Sequence, residues 1–232
     1  MRKAVFIVEG QTEQVFVLNF LLQLCAIQAL HVDLYKLHKG LVKVSWRGCP
    51  ADLATHSIHI VNVENDEKVL SYIQENLDSF KRSGFSSVFG LRDRYSGDSQ
   101  KKPVNPLLID GLTERLSNDY GLDIQVTVAL EEIEAWFLAV PDFFLKYDLR
   151  LTEDAIAEQL GYRLSEVDVE SLAHPSSLIN KLLMTVGKRY RKRLDDSHKI
   201  ADALDYQSLY LDKSESINAL GRFVKQMNLA LV

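Results

Sequence analysis

Val8-Glu9-Gly10-Gln11-Thr12-Glu13 decides how the rest of this chain is read. It follows an apolar run, Ala4-Val5-Phe6-Ile7-Val8, and opens a segment from Thr12 to Leu30 whose apolar residues recur at helical spacing. A short apolar run bounded by glycine reads as a buried strand. Glu9 then stands at the C-terminal end of a first strand, and Gly10 turns the backbone into a helix. In open α/β sheets that edge is where ligands bind. Taken alone, a Glu-Gly pair also fits an ordinary surface βα loop, so the remaining strand ends carry the decision.

Outward from this stretch, the first helix bears Val15, Phe16, Leu18, Leu21, Leu22 and Cys25 on one broad stripe, which suits packing against a sheet. Strand patterns follow at His31 to Leu37, Val42 to Trp46 and Ser57 to Val63. Asn65 or Asp66 caps a helix from Glu67 to about Lys81. Ser87 to Leu91 is the next buried strand, and it ends in Arg92-Asp93. A polar loop over Ser96 to Pro106 leads to a helix from Pro106 to Tyr120. Ile124 to Leu130 is then a strand ending in Glu131-Glu132, with a helix from Ile133 to Val140. Strands alternating with helices over residues 1–140 predict an α/β domain, a mostly parallel sheet flanked by helices. Beyond Pro141 the pattern is helical, at Leu151 to Leu160, Pro175 to Lys192, Lys199 to Leu204 and Ser214 to Met227. Residues 141–232 are therefore expected to form a helical C-terminal lobe packed on the first domain.

Composition narrows the class. The 232 residues are 47% hydrophobic and 25% charged, ordinary for a globular protein, and the net charge of −5 argues against a uniformly cationic nucleic-acid binder. Cys25 and Cys49 form neither a disulfide framework nor a metal-binding repeat, which points to a reducing compartment. No apolar run approaches the ~18–20 residues of a membrane span, and no secretory leader pattern is present. The reading is cytoplasmic, without a membrane partner.

Three strand ends thus carry carboxylates: Glu9, then Asp93, then Glu131 and Glu132 with Glu134 just inside the next helix. C-terminal strand ends of a parallel sheet lie along one edge. Carboxylates gathered there raise one another's pKa unless a cation neutralises them, and the hard cation suited to oxygen ligands and phosphates is Mg²⁺ or Mn²⁺. The competing explanation is that acids in a first helical turn complement the helix dipole, by roughly 0.3–1 kcal/mol each.

Glu9-Gly10-Gln11-Thr12-Glu13, followed by Leu91-Arg92-Asp93-Arg94-Tyr95-Ser96-Gly97-Asp98 and by Glu131-Glu132-Ile133-Glu134-Ala135-Trp136, resembles the acidic motifs of TOPRIM-like proteins. The resemblance is to divergent bacterial members related to the overcoming-lysogenization-defect nucleases, often encoded beside ABC- or AAA-type ATPases. His174-Pro175-Ser176 and the basic run at 188–192 extend it over nearly the full chain. It implies a TOPRIM-like fold and a Mg²⁺-dependent nuclease in a bacterial defence or mobile-element setting. Glu9 would be general acid/base or ligand, Asp93 a metal ligand, and Glu131 and Glu134 additional ligands, with Asp98 joining if its loop folds back. The sequence departs from the family at position 95, where Tyr95 replaces a second Asp. That departure motivates a second reading, a catalytically degenerate partner subunit of an ATPase that binds nucleic acid or protein. A homo-oligomer is left open.

Lys188-Arg189-Tyr190-Arg191-Lys192-Arg193 sets five cations in six residues. Such a run suits a nucleic-acid backbone or, in a last helical turn, the helix dipole. The histidines at 31, 38, 56 and 59 lack metal spacing and read as hydrogen-bonded structural residues. No GxxxxGK[ST] or GxGxxG motif supports ATP binding.

Overall fold

A computed structural model describes residues 1–24, 29–94 and 103–231; Cys25, Tyr95 and Asp98 lie outside the described residues. Among the described residues one sheet has six strands, in the order β3-β2-β4-β1-β5-β6. Strand β1 (Arg2–Val8) is central and runs parallel to β4 (His56–Asn62) and β5 (Ser87–Asp93). Strand β2 (Leu30–Leu37) is parallel to β4, and β6 (Asp123–Ala129) is parallel to β5. Only β3 (Leu41–Gly48) is antiparallel, folded back on β2 as the second half of a hairpin. The α/β class and the mostly parallel sheet expected from the alternating pattern are what the chain adopts.

The apolar run of β1 is buried on both sides because helices cover both faces. Ala4, Phe6 and Val8 point into one core and Val5 and Ile7 into the other, as period-two geometry demands. Helices α2 (Asp66–Arg82) and α3 (Pro106–Tyr120) fill the second core. The Asn65 side chain caps α2 by accepting from Glu67 N. The first core is built from α1 (Gln11–Leu24), the short α4 (Glu134–Leu138) and the helices that follow: α5 (Phe143–Tyr147), α6 (Glu153–Leu160), α7 (Pro175–Met184), α8 (Leu194–Ala203) and a C-terminal helix, Asn218–Leu231. Phe16 is its hub, with ring centroids of Phe20, Phe137 and Phe223 at 5.5 Å, Tyr206 at 5.7 Å and Trp136 at 5.9 Å. No helix among the described residues is long and apolar enough to cross a membrane.

Two expectations change in the C-terminal region. The helix expected to run from Pro175 to Lys192 stops at Met184: Thr185 Oγ1 donates back to Leu182 O, Gly187 takes φ +79°, and Lys188 N closes the turn on Leu183 O. This is a glycine-centred helix stop, and it leaves residues 188–193 between two helices rather than in a last turn. The final helix starts at Asn218 rather than Ser214, behind an irregular helical stretch with a π-helical turn at Leu209–Lys213.

Gly90, on β5 between β1 and β6, is a further constraint, since a Cβ there would stand 2.7 Å from Val126 Cγ2 and 3.2 Å from Ile73 Cδ1. Gly90→Ala is expected to cost about 1–3 kcal/mol by overpacking, read as a lowered urea midpoint with unchanged slope.

Candidate functional site

The pairing of β1 with β5 sets Glu9 beside Asp93. Glu9 Oε2 accepts the Asp93 backbone N–H at 2.9 Å, and Asp93 Oδ1 accepts the Ile133 N–H at 3.0 Å. The end of β5 is thereby tied to the entrance of α4, where Glu134 is fully buried (0% exposed). Glu13, one turn into α1, is buried too, and its carboxylate lies under the strand-to-helix turn: a Cβ on Gly10 would stand 2.8 Å from Glu13 Oε2. Gly10 therefore serves as the space into which Glu13 folds back.

The cation among these acids is the chain's own. Lys192 Nζ lies 3.0 Å from Glu134 Oε2 and 3.0 Å from Glu132 Oε1. Tyr190 donates its hydroxyl proton to Glu134 Oε1 at 2.7 Å, and Glu132 accepts from both Ser176 N (2.7 Å) and Ser176 Oγ (2.9 Å). Lys192 holds φ +53°, a left-handed conformation unfavourable for an L residue by roughly 1 kcal/mol.

Burial and mutual repulsion set the electrostatics. Burial first, then the charges of Glu9 and Glu134, push the Glu13 carboxyl up to about 8. Burial, then Glu9 and Glu13, raise Asp93 well above the carboxylate range. Burial, then Glu134, does the same to the Tyr190 phenol. Burial alone would lower Lys192, but Glu134, Asp93, Glu132 and Glu13 outweigh it and hold the ammonium above its ordinary range. Glu132 is lowered in spite of its burial, by Lys192 and by the bonds from Ser176.

Of the residues expected from sequence, Glu9, Asp93 and Glu134 come together. Glu131 does not: among the described residues it has no hydrogen bond or ion pair with the cluster, and Glu132 turns inward instead. Asp98 lies outside the described residues. The basic run is split by its own backbone. Lys192 faces the carboxylates. Lys188 donates to Tyr147 O and lies near Asp148, while Arg189, Arg191 and Arg193 are exposed. Sequence reading placed Glu132 at the right strand end without giving it a role, and missed Glu13, Tyr190 and Ser176 as members of the site. Glu13 had a signal, since a residue four after Glu9 sits on the first helical turn facing the strand end. Tyr190 and Ser176 had none, because their partners are dozens of residues away. Away from the site, His31 bonds Asp33 at 2.8 Å and Cys49 O at 2.8 Å, and His59 lies 3.5 Å from Asp33.

Five carboxylates, Glu9, Glu13, Asp93, Glu132 and Glu134, two of them carrying raised pKa values, form an all-oxygen donor set whose chemistry fits a hard divalent cation. Among the described residues, however, no three His, Cys, Asp or Glu side chains are grouped to hold an ion, and Lys192 Nζ lies beside Glu134. Binding one there requires the ammonium to withdraw from Glu134. An open cleft of about 430 Å³ is lined by Glu9, Gly10, Gln11, Asn62, Glu64, Asn65 and Lys192.

No family model and no curated protein matches the chain. It is similar to the crystal structure of a hypothetical protein from Pyrococcus horikoshii OT3, at 15% identity and a TM-score of 0.48, over 99% of this chain and 98% of that one. That likeness carries no information on activity.

Lys192→Met strands Glu134 without its counter-ion. The expected loss is about 2–3 kcal/mol in urea unfolding without divalent ions, below the full cost of breaking a buried pair because Lys192 keeps part of its exposure; Glu134→Gln in the same chain should restore most of it. Glu13 titrates higher in the folded state than in the unfolded chain, so its contribution is fully present below pH ~4.5 and is lost as pH rises through about 8. Glu13→Gln should therefore leave stability unchanged near pH 4.5 and raise the unfolding temperature progressively toward pH 8.

Proposed function

We propose that the chain is a divalent-cation-dependent phosphodiesterase of the TOPRIM-like kind, acting on nucleic acid. The observation that supports this reading is the convergence of Glu9, Asp93 and Glu134 from three separate segments at the C-terminal edge of the sheet, beside a solvent-open cleft. Burying several carboxylates together is costly, and a surface-acid explanation does not account for Glu134 at 0% exposure or Asp93 at 5%.

Glu9, Asp93 and Glu134 would hold Mg²⁺ or Mn²⁺, which when bound polarises a phosphodiester and lowers the pKa of a water. The chain's own groups supply the rest. Asn62 and Asn65 use their side-chain oxygens on Glu64 N and Glu67 N, which leaves their amide N–H groups as donors for phosphate oxygens in the cleft. Lys192, once withdrawn from Glu134, offers its ammonium to the same anion. Glu13, with its raised pKa, keeps a proton at neutral pH in the metal-free state and can release it when the site gains positive charge.

A specific observation favours a second reading, a catalytically silent subunit of an ABC- or AAA-type ATPase: the ammonium of Lys192 already neutralises the acids. Purified protein incubated with plasmid DNA or RNA and Mg²⁺ or Mn²⁺ separates the two. The phosphodiesterase reading expects cleavage that falls about 100-fold or more in Glu9→Gln and in Asp93→Asn. Absence of cleavage together with absence of Mn²⁺ binding by calorimetry overturns it. Cleavage that appears only in Tyr95→Asp supports the silent subunit.

A further inference from the structure

The half of the basic run that turns away from the carboxylates lines a cavity of its own. Between α5, α8 and residues 188–189 lies a space of about 430 Å³, walled by Lys146, Tyr147, Lys188, Arg189, Lys199 and Asp196. Four cations face one carboxylate there, in a chain whose net charge is −5. Two of the cations already have partners: Lys146 Nζ donates to Ala203 O of the wall at 2.7 Å, and Lys188 Nζ donates to Tyr147 O of the wall and pairs at 3.5 Å with Asp148 Oδ2 outside it. The Arg189 and Lys199 side chains have no ion pair or hydrogen bond among the described residues. Asp196, the one acid of the wall, accepts the Arg191 backbone N–H at 3.1 Å, which fixes it in place. Like charges gathered around a cavity repel one another, and a bound anion relieves that repulsion.

We propose that this cavity is a second site, separate from the carboxylate centre, that binds the phosphate of a phosphorylated nucleoside. Arg189 supplies a planar fork of donors suited to phosphate, and Lys199, Lys188 and Lys146 supply point charges around it. The half-buried ring of Tyr147 adds a flat aromatic wall against which a base can lie. The volume falls within the ~300–1,000 Å³ of small-molecule sites. The phosphate comes either from a free nucleotide or from the phosphorylated end of a strand. Neither source depends on the phosphodiesterase reading, because the cavity shares no residue with the carboxylate cluster; residues 188 to 192 join the two sites through the chain.

The full-length protein in buffer free of divalent ions provides the test. ATP, AMP and inorganic phosphate are titrated by calorimetry, and a short single-stranded oligonucleotide with or without a 5′-phosphate is titrated by fluorescence anisotropy. The double variant Arg189→Glu/Lys199→Glu should weaken nucleotide or phosphorylated-strand binding by about 10-fold or more, as loss of two charge-assisted contacts implies. Arg191→Glu/Arg193→Glu changes the net charge equally outside the cavity and should shift binding by less than about 2-fold. Binding of ATP and AMP without discrimination between the two oligonucleotides assigns the site to free nucleotides, and preference for the 5′-phosphorylated strand assigns it to strand ends. Equal weakening in both double variants, or no binding of any of these probes, overturns the proposal. Because no divalent ion is present and the cavity shares no residue with the carboxylate cluster, failure here is distinguishable from failure of the phosphodiesterase reading.

Discussion

The contact between Lys192 and Glu134 is the constraint around which the molecule closes. Glu134 sits at the head of a five-residue helix whose other residues, Ala135 to Leu138, are all core. A carboxylate at that depth costs several kcal/mol unless it is paired and hydrogen-bonded. From a segment more than fifty residues further along the chain, the hydroxyl of Tyr190 donates to Oε1 and the ammonium of Lys192 lies 3.0 Å from Oε2, which takes part in that ion pair without accepting a hydrogen bond. To reach it, Lys192 adopts a left-handed backbone conformation, a local strain offset by the ion pairs it permits. The link between α7 and α8 is therefore positioned by charge neutralisation as much as by packing.

Packing brings that link within range. Phe16 is ringed by aromatic side chains from α4, the Tyr206 turn and the C-terminal helix. Helix α1 starts at the Glu9 turn, so this aromatic cluster anchors the helices after Pro141 against the same sheet edge that carries the carboxylates. Thr12 strengthens the connection by pairing with Ser197 Oγ at 3.0 Å on α8. The site is thus roofed by the C-terminal region, and its acids become more buried than strand-end residues in an open α/β sheet usually are. Burial in turn raises Glu13 and Asp93, so the electrostatic character of the centre follows from the way the second half of the chain packs.

The charge run at 188–193 shows how one continuous sequence feature serves different ends. Gly187 stops α7, and the irregular segment that follows sends its side chains to different surroundings. Lys188 and Arg189 face the cationic cavity, Tyr190 is buried against Glu134, and Lys192 enters the carboxylate cluster. Read as a helical face, the run becomes one patch. With the helix ended at Met184, it divides between an acidic and a basic environment.

Local pattern carried the sheet and the order of its elements. Strands from β1 to β6 and helices α2 and α3 were legible to within a few residues, because period-two and period-3.6 burial, glycine turns and an Asn cap are properties of neighbouring residues; helical spacing carried α1 too far, to Leu30, which begins β2. The approach of Glu9 to Asp93 was legible as well, since parallel strands share an edge and both acids end apolar runs. The identity of the counter-charge was not. Glu13 beneath Gly10, Glu132 rather than Glu131 turning inward, and Lys192 in place of an external cation all depend on partners brought from elsewhere in the chain. Neutralising a buried charge is a condition on the folded whole, satisfied by whichever side chain packing brings within about 3 Å, and neither periodicity nor spacing along the chain encodes that choice.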